Sequence, residues 1–457
     1  MTRRIAITAA LLLIAGSIES FAQVKYEPYF PIEEQPDGRI YLPSPADTSH
    51  LIFADDFMQW IWGKSVRDSE RGERASRESN YGVAAMTEIF GEALSLEITP
   101  EKTPALYKYL SRVSETVRKS ARATKKKYMR VRPFARFNEQ TWGKYDDDGL
   151  RTDGSYPSGH TSNGWGCCLA MAEMLPELQD TLIRRGYEYG ESRVIVGAHW
   201  QSDVDAAMLC CAASYARLHN YPDFYEDRDA ARAEVLRLRK DLRKVKNVGM
   251  PDGQKIFPPY PDTASMRYYG EIVRYWESKS ERSTFRATQA RRDIACTSAE
   301  AYMRSFQHCM DIDISATETP AIARLITEGR KAILDNAEAL GSAGFRKRPF
   351  LQFGEQSLVP DKEEDLAKST SYPSFNSAVG WGLAMLLVEV APACQDHILL
   401  RGLEFGRSCE IAGTNYHIDV RDGRLIAIAT VARLNADPEF TKLVTAAREE
   451  YKAKVAE

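Results

Sequence analysis

Beyond its first 22 residues, the 457-residue chain has no apolar run long enough to cross a bilayer, which takes about 20 consecutive residues. The mature chain is therefore expected to be soluble. There is no cysteine before Cys167, which excludes an N-terminal lipid carried on cysteine. The eight cysteines show no metal-ligand spacing. There is little charge imbalance: the formal net charge is −3, so bulk electrostatics give no reason to expect nucleic-acid or membrane-surface partners. Strict two-residue alternation is scarce, which leaves little room for half-buried strands.

What is present begins with the N-terminus. Arg3 and Arg4 precede an apolar run from Ile5 to Gly16, and Ser20-Phe21-Ala22 supplies a small-x-small site. Residues 1–22 read as a secretory signal peptide cleaved before Gln23, which places the mature protein in the periplasm or outside the cell. That compartment permits disulfides. Cys167, Cys168, Cys210 and Cys211 sit in apolar helix-like segments and read as buried thiols. Cys296 and Cys309 are candidates to pair, a connectivity that sequence does not decide.

The chain is too long for one ordinary core, and it repeats itself. At an offset of 216 residues Trp60 meets Trp276, Thr103-Pro104 meets Thr319-Pro320, and Arg132-Pro133-Phe134 meets Arg348-Pro349-Phe350. Tyr156-Pro157-Ser158 likewise meets Tyr372-Pro373-Ser374, Asp203-Val204 meets Asp419-Val420, and Ala216-Arg217-Leu218 meets Ala432-Arg433-Leu434. A constant offset of this length marks a tandem repeat, with copies over roughly 26–245 and 256–457. The Gly/Pro-rich stretch from Asn247 to Pro261 reads as a flexible linker. Tyr107, Leu110, Val113 and Val117 keep helical spacing, as do Trp165, Leu169 and Ala172 before the stop at Pro176. The expected architecture is all-α: two tandem helical-bundle domains, 23–250 and 251–457. The charged stretch from Glu226 to Lys246 is expected to be a solvated terminal helix.

Three clusters in the first copy carry chemistry. They are Lys125 to Phe134, Tyr156-Pro157-Ser158-Gly159-His160-Thr161, and Ser192 to Asp203. A phosphate ester needs cationic and N–H donors, a nucleophile and a proton source. Arg forks and Lys point charges suit phosphate. Ser158-Gly159-His160 precedes a helix, so backbone N–H groups can face an anion there, and Gly159 lets that backbone come close. His199 and Asp203 are spaced to share a helix face. A carboxylate on one ring nitrogen leaves the other free to attack. His160 is then available as general acid.

In this order the clusters read Lys-x6-Arg-Pro, Pro-Ser-Gly-His and Ser-Arg-x5-His-x3-Asp. That pattern resembles the type 2 phosphatidic acid phosphatase superfamily. The surroundings, Asp153 to Thr161 and His199-Trp200-Gln201-Ser202-Asp203-Val204-Asp205, resemble its soluble bacterial class A non-specific acid phosphatases. The resemblance implies an all-helical bundle and a nucleophilic His199 that forms a phosphohistidine, oriented by Asp203. It implies that His160 protonates the leaving alcohol. Lys125, Arg132 and Arg193, with Ser158 and the Gly159 N–H, would hold the phosphoryl oxygens. No metal or other cofactor is implied. The partners are small phosphorylated substrates, and activity is expected to peak at about pH 5 to 6.5.

In the second copy Lys125 becomes Gly341, Gly159 becomes Phe375, His160 becomes Asn376, Arg193 becomes Cys409 and His199 becomes Asn415. Arg348, Ser374 and Asp419 survive. His417, two residues along a helix and about 200° round, is not expected to replace His199. The second domain therefore reads as non-catalytic. The resemblance implies homo-oligomers, so the chain is expected to form an intramolecular pseudo-dimer or a homo-oligomer. The competing readings are a vanadate-dependent haloperoxidase, a membrane lipid-phosphate phosphatase and a phosphorylated-ligand-binding protein.

Overall fold

The computed structural model describes residues 26–143 and 145–456, so the expected signal peptide lies outside the described residues. Those residues form helices and loops and contain no strand. The fold is all-α.

Each half is organised around a helix buried on every side, Gly159–Met174 in the first and Phe375–Val390 in the second. A helix buried all round is stable only inside a bundle, and fully burying each large apolar side chain contributes about 1.5–3 kcal/mol. Gln179–Ile195 and Gln201–Leu218 flank the first, and Gln395–Ala412 and His417–Asn435 flank the second. Pro104–Val117 packs against both Gly159–Met174 and Pro222–Leu238, and Pro320–Gly341 makes the matching contacts with Phe375–Val390 and Pro438–Ala456. Proline opens four of these helices, where its missing N–H costs nothing. All five starting residues of the second set lie 216 positions after their counterparts. A Cβ at Gly164 would collide with the Tyr189 ring. That close approach draws the Gln179–Ile195 helix, which carries Arg193, toward the start of Gly159–Met174.

The buried side chains of both halves form one contiguous core. Arms cross the seam reciprocally. Tyr41 packs on Trp381 of the second half at 6.4 Å, and Phe257, 216 positions after Tyr41, packs on Tyr187 of the first at 5.7 Å. The Asp37 N–H donates to Asp396 at 2.8 Å, and the Asp252 N–H donates to Asp180 at 3.0 Å. At the centre His219 meets its own counterpart, Asn435, at 3.1 Å.

Two sequence expectations change here. The linker is tied down rather than flexible: Gln179 and Arg433 donate to Gly249 at 3.0 and 3.2 Å, and Arg433 also donates to Val248 at 2.9 Å. The charged terminal helix ends at Leu238 and is partly buried, with Glu234 accepting from the Leu106 N–H at 2.9 Å. All eight cysteines are free thiols, so Cys296 and Cys309 are not joined. No helix among the described residues is long and apolar enough to cross a membrane.

Candidate active site

The site is assembled at the start of the Gly159–Met174 helix. Ser158 is its N-cap: Oγ accepts from the Thr161 N–H at 3.3 Å and from the Thr161 hydroxyl at 3.0 Å. Both bonds are received, so the Ser158 hydroxyl proton remains free to donate. The first N–H groups of the helix have no intrahelical acceptors, and the positive end of the helix favours an anion. A Cβ at Gly159 would lie 3.5 Å from Tyr81 Oη and 4.0 Å from Lys125 Nζ, with no clash. The protein itself therefore has room for a side chain here, and glycine instead keeps open a cradle between a helix N-terminus and an ammonium group.

His199 lies in the loop that follows Gln179–Ile195, just beyond Gly197, whose φ of +78° turns the chain. Its Nδ1 is 2.9 Å from the Ser155 carbonyl. A carbonyl only accepts, so Nδ1 carries the hydrogen and Nε2 presents its lone pair. Nε2 faces Arg132 Nη1 at 2.9 Å. Sequence reasoning put His199 and Asp203 on one helix face. The helix instead starts at Gln201, and Asp203 turns back from its third position to cap it. One Asp203 oxygen accepts from the Trp200 N–H at 2.8 Å and the other from Arg130 at 2.7 Å. That carboxylate is 3.5 Å from His199 Nδ1, so Asp203 supports the ring by charge while Ser155 holds it by hydrogen bond.

Around Nε2 stand three cations. Arg193 is fully buried; it donates to the Tyr145 hydroxyl and to the Tyr189 carbonyl at 3.3 Å, while its Nη2 has no hydrogen-bond partner and only a long ion pair, to Glu78 at 3.9 Å. A buried guanidinium nitrogen without a hydrogen bond costs free energy until an acceptor arrives. Arg132 is fixed by the Ala198 and Asp153 carbonyls, each at 3.0 Å. Lys125 Nζ and Arg132 Nη2 both donate to the Asp153 carboxylate, at 3.0 and 2.9 Å. Burial, followed by the charges of Arg132, Lys125 and Arg193, holds His199 well below the ordinary histidine range. His199 is thus neutral even in mild acid.

His160 sits under Tyr81 at 4.8 Å, with Tyr145 and Tyr189 further out, and its Nε2 is 3.3 Å from the Ser79 carbonyl. Burial, then the Arg193 and His199 charges, depresses it well below the ordinary range too. The proton expected on His160 is therefore absent from the empty site and needs a bound anion to hold it. Sequence reasoning missed Ser155, Arg130, Asp153 and Tyr145 as parts of the site. Arg130, two residues before Arg132, was in view within the basic run. The carbonyl of Ser155 has no sequence signature.

The PAP2 superfamily matches residues 113–225, a span that holds every one of these sequence-selected residues. A non-specific acid phosphatase of Providencia stuartii is 40% identical over 205 residues, 45% of this chain and 83% of the relative. The chain belongs to the PAP2 superfamily. A non-specific acid phosphatase of Salmonella typhi is 37% identical over 226 residues, 49% of this chain and 90% of the relative. An acid phosphatase of Zymomonas mobilis subsp. mobilis is 29% identical over 237 residues, 51% and 89% of the two chains.

Outside the PAP2 match, the second half keeps the supports of this site without its reactive groups. Arg346 pairs with Asp419 as Arg130 does with Asp203. The Ser374 N–H donates to the Asp419 carbonyl at 2.9 Å, and the Ser158 N–H to the Asp203 carbonyl at 3.0 Å. Asn415 Nδ2 donates to the Ser371 carbonyl at 2.5 Å, which is the bond His199 makes to Ser155. A side chain at Gly341 would lie 2.9 Å from the Tyr372 carbonyl oxygen, so a lysine has no room there. Asn415 precedes its helix, so the argument from helical angle does not apply to His417. That residue is instead the first of the helix and is bonded to Glu410 at 2.6 Å.

Proposed function

We propose that this PAP2-superfamily acid phosphatase is exported and hydrolyses phosphate monoesters without a metal, through a phosphohistidine on His199. Residues 23–250 carry the site, and 251–457 are a non-catalytic tandem copy that completes the core. The observation that carries the reading is the His199 tautomer: Nδ1 is bonded to Ser155, so Nε2 points at Arg132 in a pocket with an unsatisfied Arg193 nitrogen.

The phosphoryl group of a monoester displaces the Asp153 carboxylate from Lys125 and Arg132. Its oxygens take donors from Lys125, Arg132, the Arg193 Nη2, the Ser158 hydroxyl and the Gly159 N–H. These donors act in a largely water-excluded site, where preorganised charge is most effective. Arriving negative charge raises the proton affinity of His160. His199 Nε2 attacks phosphorus, the ester P–O bond breaks, and His160 gives its proton to the leaving alkoxide. A water, deprotonated by His160, then cleaves the P–N bond and releases inorganic phosphate. The motif Arg3-Arg4 with the apolar run to Gly16 supports export.

The test is rapid quenching with a phosphate-labelled ester. Wild-type protein should carry acid-labile, base-stable label on His199, and His199→Asn should carry none. Turnover with no trapped label under burst conditions, or equal label in the variant, would overturn the mechanism.

A further inference from the structure

A cavity of about 480 Å³ opens between the two halves, and none of His199, His160, Lys125, Arg132 or Arg193 lines it. That volume lies within the range of small-molecule sites. Its walls are the Pro43–Ile52 segment, one face of the Gln201–Leu218 helix, and second-half residues that include Leu403, Arg407, Glu410 and Arg424. On that helix Asp205 follows Asp203 by two positions, about 200° round. The carboxylate that backs the catalytic histidine and the one that faces the cavity therefore lie on opposite sides.

Most charges in the wall are already satisfied. Arg274 is paired with Asp55, Arg407 with Glu410 at 2.8 Å and Glu277 at 3.1 Å, and His417 with Glu410. Besides the exposed Asp47 and His50, two charges are not. Arg424 is 9% exposed; among the described residues it donates only to the Leu403 carbonyl at 2.9 Å, has a buried Nε with no hydrogen-bond partner, and forms no ion pair. Burial pulls its pKa down to about 10, the sign of a cation short of compensation. Among the described residues Asp205 has one hydrogen bond, from Gln201 at 2.9 Å, and no ion pair; burial raises it above the usual carboxylate range.

The first half shows what this position can do without charge. Met208 lies 216 positions before Arg424 and rests its methyl over Gly190, as Arg424 rests its guanidinium over Gly406. Putting a guanidinium where a thioether packs is costly in desolvation unless an anion completes it. We propose that the cavity binds a small zwitterion with an apolar body, an amino acid of the aromatic or branched kind. Its carboxylate sits on Arg424, its ammonium on Asp205, and its side chain against Ile52, Leu209 and Leu403. A phosphate dianion fits less well, since Asp205 and Glu410 face the same space.

Calorimetric titration of the full chain with L-phenylalanine and L-leucine tests this, alongside 3-phenylpropanoate and 2-phenylethylamine, which each lack one charged group. At least one amino acid should bind about tenfold or more tighter than either half-molecule, a difference of about 1.4 kcal/mol. Binding should leave the KM for p-nitrophenyl phosphate unchanged. Arg424→Met should weaken the amino acid at least about tenfold, to the level of 2-phenylethylamine. If that variant fails to fold by circular dichroism, Asp205→Asn takes its place and should bind 3-phenylpropanoate and phenylalanine equally. No heat from either amino acid at about 10 mM, half-molecules that bind as tightly, or an Arg424→Met variant that binds like wild type would each overturn the proposal.

Discussion

His199 and Asn415 occupy equivalent places and hold equivalent carbonyls, Ser155 at 2.9 Å and Ser371 at 2.5 Å. One side chain keeps a free ring nitrogen on its far side, and the other has only an amide oxygen, engaged by Thr414 at 3.0 Å. The same division runs through both pockets. Arg132 and Arg348 both tie loops together through backbone carbonyls. Only Arg132 also faces a histidine ring nitrogen, on which Lys125 and Arg193 act as well. The hydrogen bonds that shape the loops are thus separable from the groups proposed for the chemistry, and the second half has the first set alone.

The sharpest way to break this comparison is His199→Asn, which gives the first half the second half's residue. The amide can keep the Ser155 bond, so folding should be nearly unaffected while turnover falls about a thousand-fold or more. A loss below tenfold with p-nitrophenyl phosphate would remove His199 from the nucleophile role. The converse exchange, Asn415→His with Asn376→His on that inactive background, should restore nothing, because Gly341, Phe375 and Cys409 still deny the phosphate its donors. Measurable rescue would show that the second pocket had lost only its histidines.

The next effect in size belongs to His160. Its replacement by Asn should cost about 10²- to 10⁴-fold with alkyl phosphates and much less with p-nitrophenyl phosphate, whose leaving group needs little protonation. Both histidines are held low in the empty site. Rate should therefore fall in acid only once His199 itself takes a proton, below its ordinary value of about 6.5. It should fall toward alkali as the substrate-bound His160 loses its proton. An alkaline optimum in a pH profile of kcat, which reports the substrate-bound groups, or a loss in EDTA reversed by added metal, would contradict the donor set proposed here.

A smaller change is expected at Asp153, which holds the cations that phosphate needs. Asp153→Asn removes a competing anion, so inorganic phosphate should inhibit several-fold more strongly, an effect limited by the half-exposed carboxylate. Weaker inhibition would mean that Asp153 chiefly positions Lys125.

The all-α fold was legible because helical spacing is local: Tyr107 to Val117 and Trp165 to Ala172 each declare their own helix. The matches at an offset of 216 were legible because they need no structure. The residues proposed for the chemistry stood out because they fall in three short clusters at fixed spacing. Ser155 was not, since its contribution is a backbone carbonyl brought to His199 by a loop 44 residues away in sequence. Nor was the depression of His160, which depends on how deeply Tyr81, Tyr145 and Tyr189 enclose it. The shared core was hidden for the same reason: nothing local in Tyr41 says that it will pack on Trp381.

The seam offers the finest test of the comparison, because there the halves meet through non-identical residues. His219 is 3.0 Å from Glu173 and 3.1 Å from Asn435, which also donates to Glu389 at 2.8 Å. Glu173 and Glu389 are themselves 216 positions apart. Arg228 and Tyr215 also bond Glu173, at 2.6 and 2.7 Å, and Arg448 donates to the Glu389 and His219 carbonyls. Burial opposes a charged His219, but Glu389 and Glu173 outweigh it and raise its pKa. Glu173 is buried as well, and His219 and Arg228 bring it down to about 2. A raised histidine stabilises the fold below its unfolded value, about 6.5, and loses that contribution as pH rises through its folded value; a lowered glutamate contributes above about 4.3. The two contributions overlap fully between about pH 4.3 and 6.5. His219→Asn makes the seam symmetric and leaves two buried carboxylates sharing fewer cations. It should destabilise the chain by about 2–4 kcal/mol near pH 5.5, and by less near pH 9, since raising the pH moves wild type toward the neutral histidine. Thermal melts of both proteins at the two pH values decide it. A deficit that is the same at both would show that His219 joins the halves as a neutral hydrogen-bonding group, with packing rather than charge distinguishing one half from the other.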